Sequence, residues 1–501
     1  MTKYWQSSWH KALLFLLVVV LSSCRQDIES ATILNYNIKY ILHKEMPSLA
    51  ISVSFTSKNT DYAWVKLPSS WANQNDLLSK VSRIEVEAPA RLINTEYNDK
   101  ILIAHGTKTE VKFRYTFIPG PKLPVNNAFF PPLINQESLH LIGALFLAIP
   151  LIFSGDVGCK FHWEVPDSWD FASSFGLGTD LISSHVNYEF LSKSLFVGGL
   201  MRVHHAEVSG QAIKIIMKDK WSFVDEEFIS MVKKIIYESQ QLFGALDTPY
   251  FLVNIMKNNT NNNSVHGVAL TNGFSVMASS KSNLQEHFGP VMAHEYIHNW
   301  NGGKITNHDS TGEGGYAWFI EGFTEYFSWI VNLRAGIWSP KDFVNNYNQT
   351  LYEYNNSLVN TAPNDKIEKG FWRSHELMRL PYIRGALIAR RWDALMRNTK
   401  KGHLIDLMRA LIANMTESTF GLTRQLIESE AKKIIDYDFG SDMQKYAIEG
   451  QKIPVDAHDL GPCMSMVVHY QAPLYERKDY YFKLDPAQWN SLQHLCTTYL
   501  N

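Results

Sequence analysis

The sequence His294-Glu295-Tyr296-Ile297-His298 lies in an apolar segment between Gly289-Pro290 and Gly302-Gly303. Proline near the start of a segment and glycine after its end predict a helix of about twelve residues. On that helix His294 and His298 lie one turn apart on the same face, as two imidazole ligands of one tetrahedral zinc ion require. Glu295 follows the first histidine, where its carboxylate can accept a proton from a zinc-activated water.

A third protein ligand is expected, because a catalytic zinc site keeps three protein ligands and one open position. The segment from Trp318 to Tyr326 places Glu321 at the centre of an apolar helical run, which predicts that its carboxylate points inward. Glu325 lies one turn further along the same face. It can accept a hydrogen bond from the far nitrogen of a ligand histidine and so orient the ring.

Hydrolysis at such a site also needs a donor for the oxyanion of the tetrahedral intermediate. Pro381-Tyr382-Ile383-Arg384-Gly385 opens another helical segment, and the hydroxyl of Tyr382 is a candidate donor. Spacing alone does not distinguish Tyr382 from the other tyrosines, since the chain contains 23 of them.

The regions on either side of the histidine motif differ in periodicity. Residues 31 to about 210 contain segments in which apolar and polar residues alternate, which predicts antiparallel sheets with one buried face. From about residue 220 the period changes to that of amphipathic helices. We therefore predict an α+β multi-domain chain. Its parts are a signal segment (1–24), a β-sandwich-like domain (25–215), a zinc domain (216–340), a helical domain (341–455) and a tail (456–501).

The composition is that of a globular protein. Of the 501 residues, 45% are apolar and 19% are charged, which excludes a disordered chain. Lys and Arg number 47 against 49 Asp and Glu, so nothing in the net charge of −2 indicates a nucleic-acid partner.

The N-terminal residues predict where in the cell the protein is located. Lys3 and Lys11 accompany the apolar run Ala12 to Leu21, which is too short to span a membrane and is typical of a secretory signal. Leu21-Ser22-Ser23-Cys24 resembles the bacterial lipobox, which predicts lipid attachment at Cys24 and location in the cell envelope, more specifically at the outer membrane. In that oxidising compartment Cys463 and Cys496 can form a disulfide, although sequence alone leaves the pairing open.

The two motifs together carry a family resemblance. HEYIHNWNGGKI (294–305) followed by WFIEGFTEYF (318–327) resembles the glycyl aminopeptidase family of gluzincins, and PYIRGALIA (381–389) resembles its Tyr-x-Lys-Gly element with Arg384 in place of lysine. The resemblance implies a thermolysin-like zinc domain that binds one zinc ion, acts on peptide or protein substrates, and uses Tyr382 to stabilise the transition state.

Two departures from the family pattern affect the expected specificity and domain content. Relatives carry a Gly-Gly-Leu-Glu-His-type strand before the histidine motif, and related aminopeptidases bind the substrate amine through a glutamate there. This chain has no acid between His266 and Gly273. The candidate substrate contacts in this stretch are Gly267, Ala269, Thr271 and Asn272. About 45 residues follow residue 455, too few for the complete PDZ domain that ends many relatives.

The sequence therefore predicts a lipid-anchored zinc metallopeptidase, aminopeptidase-like in its motifs. Two alternatives stay open at this point. One is an endopeptidase or oligopeptidase that does not recognise a free N-terminus. The other is a cell-surface binding protein with a vestigial zinc site.

Overall fold

The structure is a computed structural model. It describes residues 33–57, 61–106, 110–119, 130–152, 157–248, 250–258, 264–306, 315–417, 421–462, 464–470 and 478–484. The predicted signal segment with Cys24 lies outside the described residues, as do Cys463 and Cys496. Lipid attachment and cysteine pairing therefore stay predictions.

Apart from Phe130, which is grouped with the second unit, the described residues divide into two compact units between Leu200 and Met201. The predicted boundary at 215/216 falls inside the strand Gln211–Met217, which pairs with the strand Arg202–Val208. Because hydrogen-bonded strands belong together, the second unit begins before the predicted position. The segments 216–340 and 341–455, predicted as separate domains, lie in this one unit.

The first unit is built of β-sheets, as the alternating pattern predicts. Its strands are β1 (Ile33–His43), β2 (Met46–Thr56), β3 (Tyr62–Lys66), β4 (Val81–Val86), β5 (Arg91–Ile93), β6 (Lys100–Ala104), β7 (Glu110–Phe117), β8 (Leu133–Ile134), β9 (Ser138–Ile142), β10 (Ile149–Pro150), β11 (Val157–Glu164), β12 (Asp170–Ser173), β13 (Gly176–Leu177), β14 (Asp180–Val186) and β15 (Leu195–Gly199). Two short helices, α1 (Gly143–Phe146) and α2 (Tyr188–Ser192), and a 3₁₀ turn (Leu77–Lys80) join them.

Three sheets of the first unit share one apolar core. Their strand orders are β14-β11-β1-β2-β7-β4, β10-β3-β6-β5 and β13-β12-β15-β9-β8. Along β1 the side chains of Leu34, Tyr36 and Ile38 are buried, and β2 pairs with it in antiparallel register, Ile38 opposite Ile51. The period of two in the sequence thus corresponds to one buried face per strand.

The second unit combines a mixed sheet with helices. Its strands are β16 (Arg202–Val208), β17 (Gln211–Met217), β18 (Tyr250–Lys257), β19 (Val265–Leu270), β20 (Gly273–Ala278), β21 (Met464–Tyr470) and β22 (Lys478–Leu484). Its helices are α3 (Asp225–Phe243), α4 (Gly289–Ile297), α5 (Ala317–Arg334), α6 (Pro340–Asn356), α7 (Asn364–Gly370), α8 (His375–Asn398), α9 (Leu404–Glu417), α10 (Arg424–Ile434) and α11 (Phe439–Asp442), with π-helical turns at Leu284–Phe288 and Met443–Ile448.

The main sheet of this unit has the order β16-β17-β18-β20-β19, so that β19 forms an edge. Helices α4 and α5 pack into the same apolar core as the sheet. The hairpin β21–β22 lies in the segment that the sequence left unassigned. It docks on α6 through Asn348, whose side chain donates to the Phe482 carbonyl and accepts from the Phe482 N–H. Within the described part of the chain, no helix combines the length and apolar character needed to cross a membrane.

Candidate active site

Helix α4 carries His294, and His298 follows at its C-terminal end. Pro290 occupies its first turn, and apolar side chains such as Met292 and Tyr296 bury it against the sheet. The Tyr296 ring packs edge-on against Phe251 of β18, 5.0 Å between centroids. The helix ends at Ile297, with His298 as its C-cap, and is shorter than the predicted twelve residues.

Three side-chain atoms from α4 and α5 converge. His294 Nε2 lies 3.0 Å from His298 Nε2, and Glu321 Oε2 lies 3.1 Å from His294 Nε2 and 3.3 Å from His298 Nε2. Among the described residues, these three form the group of His, Cys, Asp and Glu side chains able to hold a metal ion. The predicted ligand set therefore meets at one point.

The donor set and its spacing fit zinc. Two imidazole nitrogens and one carboxylate oxygen are typical of catalytic zinc sites. Bonds of about 2.0–2.1 Å in a tetrahedron separate two ligand atoms by roughly 3.3 Å, close to the separations found here. With three protein ligands, a tetrahedral ion would keep one position for water or substrate.

Each histidine is oriented by a partner on its other ring nitrogen. His294 Nδ1 lies 3.1 Å from Glu325 Oε2, and His298 Nδ1 lies 2.8 Å from the carbonyl oxygen of Asn301. A proton on Nδ1 that is donated to these acceptors leaves Nε2 free to bind a metal. Glu325 thus occupies the orienting position that its spacing predicts.

The site favours a positive charge. Burial disfavours a charged imidazole, but hydrogen bonds to Glu321 and Glu325 outweigh it and raise the pKa of His294 to about 10. Burial likewise opposes ionisation of Glu321, yet the adjacent His298 and His294 hold its pKa well below the ordinary value. A cluster that stabilises a proton in this way also suits a divalent cation, which would replace the proton.

Asn301 links the end of α4 to α5. Its side-chain amide donates to the carbonyl oxygens of Phe319 and Ile320 at 3.1 and 2.9 Å, while its own carbonyl accepts from His298. One residue therefore positions a histidine and the helix that bears Glu321. It belongs to the motif quoted above, although spacing alone did not indicate this role.

Glu295 is buried beside the three converging atoms, with 7% of its surface exposed. Burial raises the pKa of its carboxyl, and the backbone N–H of Ala269 on β19 donates to it. The structure therefore places the Glu295 carboxyl next to the three converging atoms, and its role as a proton acceptor stays a prediction.

The predicted substrate contacts fall into two groups. Gly267 and Ala269 lie on β19 next to Glu295. Thr271 and Asn272 form the turn that joins β19 to β20, where Asn272 has φ of 51°, a left-handed conformation that asparagine tolerates. A role of these four residues in substrate binding stays a prediction.

Tyr382 of α8 reaches the same cluster. Its ring stacks on that of His294 with 5.6 Å between centroids, and its hydroxyl donates to Glu321. Burial, together with the negative charges of Glu321 and Glu295, raises the pKa of the phenol well above its usual value. The hydroxyl is therefore a protonated donor near neutral pH.

A close crossing of α5 and α8 brings Glu321 and Tyr382 together. A Cβ on Gly322 would lie 2.2 Å from the Gly385 Cα, and a Cβ on Gly385 would lie 1.8 Å from the Trp318 carbonyl oxygen. Only glycine at both positions permits this approach.

Sequence reasoning missed Arg379. Its guanidinium lies over the Tyr382 ring, 5.7 Å from the centroid, and 3.9 Å from Glu325 Oε1. Its position three residues before Tyr382 could have indicated this contact, because that spacing places both side chains on one helix face.

The family model described as M61 glycyl aminopeptidase matches residues 287–364. An aminopeptidase N family protein from Idiomarina loihiensis has a similar structure, with a TM-score of 0.72 and 17% identity, over 88% of this chain and 80% of that one.

Two further similar structures are of an M1 zinc metallopeptidase from Deinococcus radiodurans. A mutant form bound to a Tyr-Ser-Ala substrate matches with a TM-score of 0.54 and 14% identity, over 85% of this chain and 95% of that one. A second structure of the enzyme matches with a TM-score of 0.54 and 15% identity, over 85% of this chain and 94% of that one.

No curated protein matches the sequence. The solved structures, at these identities, show that the fold is shared. The family model spans His294, Glu295, His298 and Glu321, the residues that converge in the structure. The segment 287–364, which holds both histidines and Glu321, is thus similar to the M61 glycyl aminopeptidase family.

Proposed function

We propose that this protein is a zinc-dependent peptidase that hydrolyses peptide bonds by attack of water. The observation that carries the proposal is the convergence of His294 Nε2, His298 Nε2 and Glu321 Oε2 within 3.3 Å of one another. Zinc bound by these atoms would act as a Lewis acid toward the scissile carbonyl and lower the pKa of the attacking water.

Glu295 is the proposed general base. Its carboxylate takes a proton from the attacking water and then delivers it to the amine that leaves. Its buried position beside the ligand cluster supports this role, since a general base must lie within hydrogen-bond reach of the proton that it takes.

Tyr382 is the proposed donor to the oxyanion. Its hydroxyl points to Glu321, at the cluster where a substrate carbonyl would bind. A pre-oriented donor stabilises the charge that develops on the carbonyl oxygen during attack.

Strand β19 supports binding of an extended peptide. It lies at the sheet edge, and its hairpin register directs the backbone N–H and carbonyl of Gly267 and the carbonyl of Ala269 away from β20. An edge of this kind can pair with a peptide backbone. The Deinococcus enzyme of the same fold, which was solved with a tripeptide, is consistent with such a substrate.

We further propose that the enzyme removes residues from the N-terminus of its substrates, since the family model that matches residues 287–364 is one of glycyl aminopeptidases. A second candidate is cleavage without recognition of a free amine. It is favoured by the absence of any acidic residue in Val265–Leu270, the strand beside Glu295, because an unpaired buried ammonium group is costly.

One experiment tests the proposal and separates these candidates. The purified protein is stripped with a chelator, reloaded with zinc, and incubated with a peptide library in free and N-acetylated forms, and the cut positions are mapped by mass spectrometry. Chelator-sensitive cleavage of free peptides only supports an aminopeptidase. Equal cleavage of acetylated peptides supports an endopeptidase. Stoichiometric zinc without cleavage would overturn the proposal in favour of a binding protein.

We also propose attachment to the bacterial cell envelope through a lipid on Cys24. The support is the lipobox-like Leu21-Ser22-Ser23-Cys24 after an apolar run. Mass spectrometry of the mature N-terminus tests it, with Cys24→Ser as the variant that should release the protein from membranes.

A further inference from the structure

We propose that Gly267 is a positioning residue for Glu295, so that the edge strand β19 holds the general base in place. This inference rests on the proposed function of Glu295. It assigns to Gly267 a role distinct from contact with the substrate.

The first observation is the space that Gly267 leaves. A Cβ at this position would lie 2.4 Å from both Cγ and Oε1 of Glu295 and 2.6 Å from its Cδ. Side-chain carbons do not approach other heavy atoms so closely. The Glu295 carboxylate therefore lies directly over the Cα of Gly267, where any larger residue would displace it.

The backbone conformation does not account for the glycine. Gly267 is not among the residues with positive φ, in contrast to Gly302 at 111° beyond the end of α4. An alanine at position 267 could thus keep the strand conformation. What glycine provides here is room for the carboxylate.

The second observation is the hydrogen bond from Ala269. The two-residue turn Thr271–Asn272 sets the hairpin register, with Leu270 opposite Gly273 and Ala269 opposite Phe274. In an antiparallel pair, alternate residues direct their backbone groups away from the partner strand. The Ala269 N–H points in this way to the free edge and donates to the Glu295 carboxylate.

These contacts act together on one side chain. Glu295 belongs to α4, but its carboxylate contacts β19. It accepts a hydrogen bond from the Ala269 N–H and packs over the Cα of Gly267. A carboxylate is a flexible side-chain end, so an added methyl group at 267 would move the carboxylate rather than unfold the strand. A displacement of about 1 Å of a catalytic group can reduce the rate by about 100-fold.

The test is Gly267→Ala in the full zinc-loaded protein, with Val268→Ala as the matched control. Val268 lies on the same strand, and its side chain points to the opposite face of the sheet. We expect Gly267→Ala to lower kcat by about 100-fold or more, with KM, zinc affinity and melting temperature near those of the wild type. Val268→Ala should retain the wild-type kcat.

A double-mutant cycle distinguishes a clash from a general defect. Glu295→Ala removes all three atoms that a Cβ at 267 would meet, so adding Gly267→Ala to that variant should change its residual kcat by less than about threefold. The same fold-loss in both backgrounds would overturn the inference. So would a rise in KM without a fall in kcat, which would make Gly267 a substrate contact.

A crystal structure of the zinc-loaded Gly267→Ala variant provides a readout that does not depend on activity. The inference requires the Glu295 carboxylate to be displaced from its wild-type position and the Ala269 hydrogen bond to be broken. An unmoved carboxylate would refute it. If the wild-type protein shows no zinc-dependent cleavage, the proposed function fails, while this structural comparison still decides whether Gly267 positions Glu295.

Discussion

Glu295 has a carboxylate that is buried between the histidine cluster and β19. Replacing it by glutamine keeps the shape but removes the proton acceptor. We expect Glu295→Gln to bind zinc with wild-type stoichiometry and to lose at least about 10³-fold in kcat, within the range for loss of an acid–base group. Metal analysis and steady-state kinetics check this. Retained peptidase activity would contradict the base assignment.

Tyr382 stacks its ring on the imidazole of His294. Tyr382→Phe removes the hydroxyl and keeps that ring contact. Loss of one oxyanion donor costs about 10²–10³-fold in kcat, and we expect a loss of this order with a much smaller change in KM. A change in KM alone would instead indicate that the hydroxyl only binds substrate.

Helices α5 and α8 cross at Gly322 and Gly385, and the crossing brings Glu321 and Tyr382 together. Gly385→Ala places a methyl group against the Trp318 carbonyl oxygen. This is a backbone atom, so no side-chain rotation can relieve the contact. We expect about 1–3 kcal/mol loss in the free energy of unfolding, together with reduced zinc affinity and activity.

Chemical denaturation and zinc titration measure both effects of Gly385→Ala. The control is Gly370→Ala at the end of α7, where a Cβ meets the flexible end of the Leu377 side chain. That variant should lose less stability and keep its zinc affinity. Equal effects of the two substitutions would argue against a special role of the crossing.

The start of α3 is tied to β16 by Asp225. Arg202 Nε and Nη2 donate to its two carboxylate oxygens at 2.6 and 3.0 Å, and His204 Nε2 lies 2.8 Å from Oδ2. The hydrogen bond from Arg202, together with that from His204, outweighs partial burial and lowers the pKa of Asp225. The ionised carboxylate is therefore the form that stabilises the fold.

The sign of the pH dependence follows from this lowered pKa. The stabilisation by Asp225 is present above its unfolded pKa and is lost as pH falls through the folded pKa. Asp225→Asn should cost about 1–3 kcal/mol near pH 7, and the difference from wild type should shrink in acid. Urea unfolding at several pH values tests this, with Glu226→Gln, an exposed neighbour, as control. A difference that does not change with pH would contradict it.

Metal binding should stabilise the second unit against unfolding, because the candidate ligands His294, His298 and Glu321 join α4 to α5 and Tyr382 of α8 contacts the same cluster. A ligand that binds only the folded state stabilises it by about 4 kcal/mol at a thousand times its Kd. We expect a chelator to lower the melting temperature and to speed amide exchange in α4, α5 and α8.

Hydrogen exchange resolved by peptide measures this loss of protection. Peptides from β1, β2 and β7 of the first unit serve as the internal reference, because the metal ligands lie in the other unit. The variant His298→Ala should lose the response to added zinc. An unchanged exchange pattern after chelation would contradict a stabilising metal site.

Much of the site could be predicted from local spacing. One helical turn separates His294 from His298 and another separates Glu321 from Glu325, so the sequence spacing already predicts that the two side chains of each pair lie on one helix face. The β-rich first part and the helical second part were likewise predictable, because their periods of two and 3.6 depend on which face of each element is buried.

Contacts between distant segments could not be predicted in this way. Three such contacts join residues that are far apart in the sequence. They are the packing of Glu295 on β19, the crossing of α5 and α8 at Gly322 and Gly385, and the stacking of Tyr382 on His294. The predicted domain boundary at 215/216 differs from the unit boundary after Leu200 for the same reason, since strand pairing joins β16 to β17 in the second unit. Helix periodicity predicted which face of α4 and of α5 carries His294, His298 and Glu321, and packing of the helices against one another and against a sheet edge decided where Glu295 and Tyr382 lie relative to them.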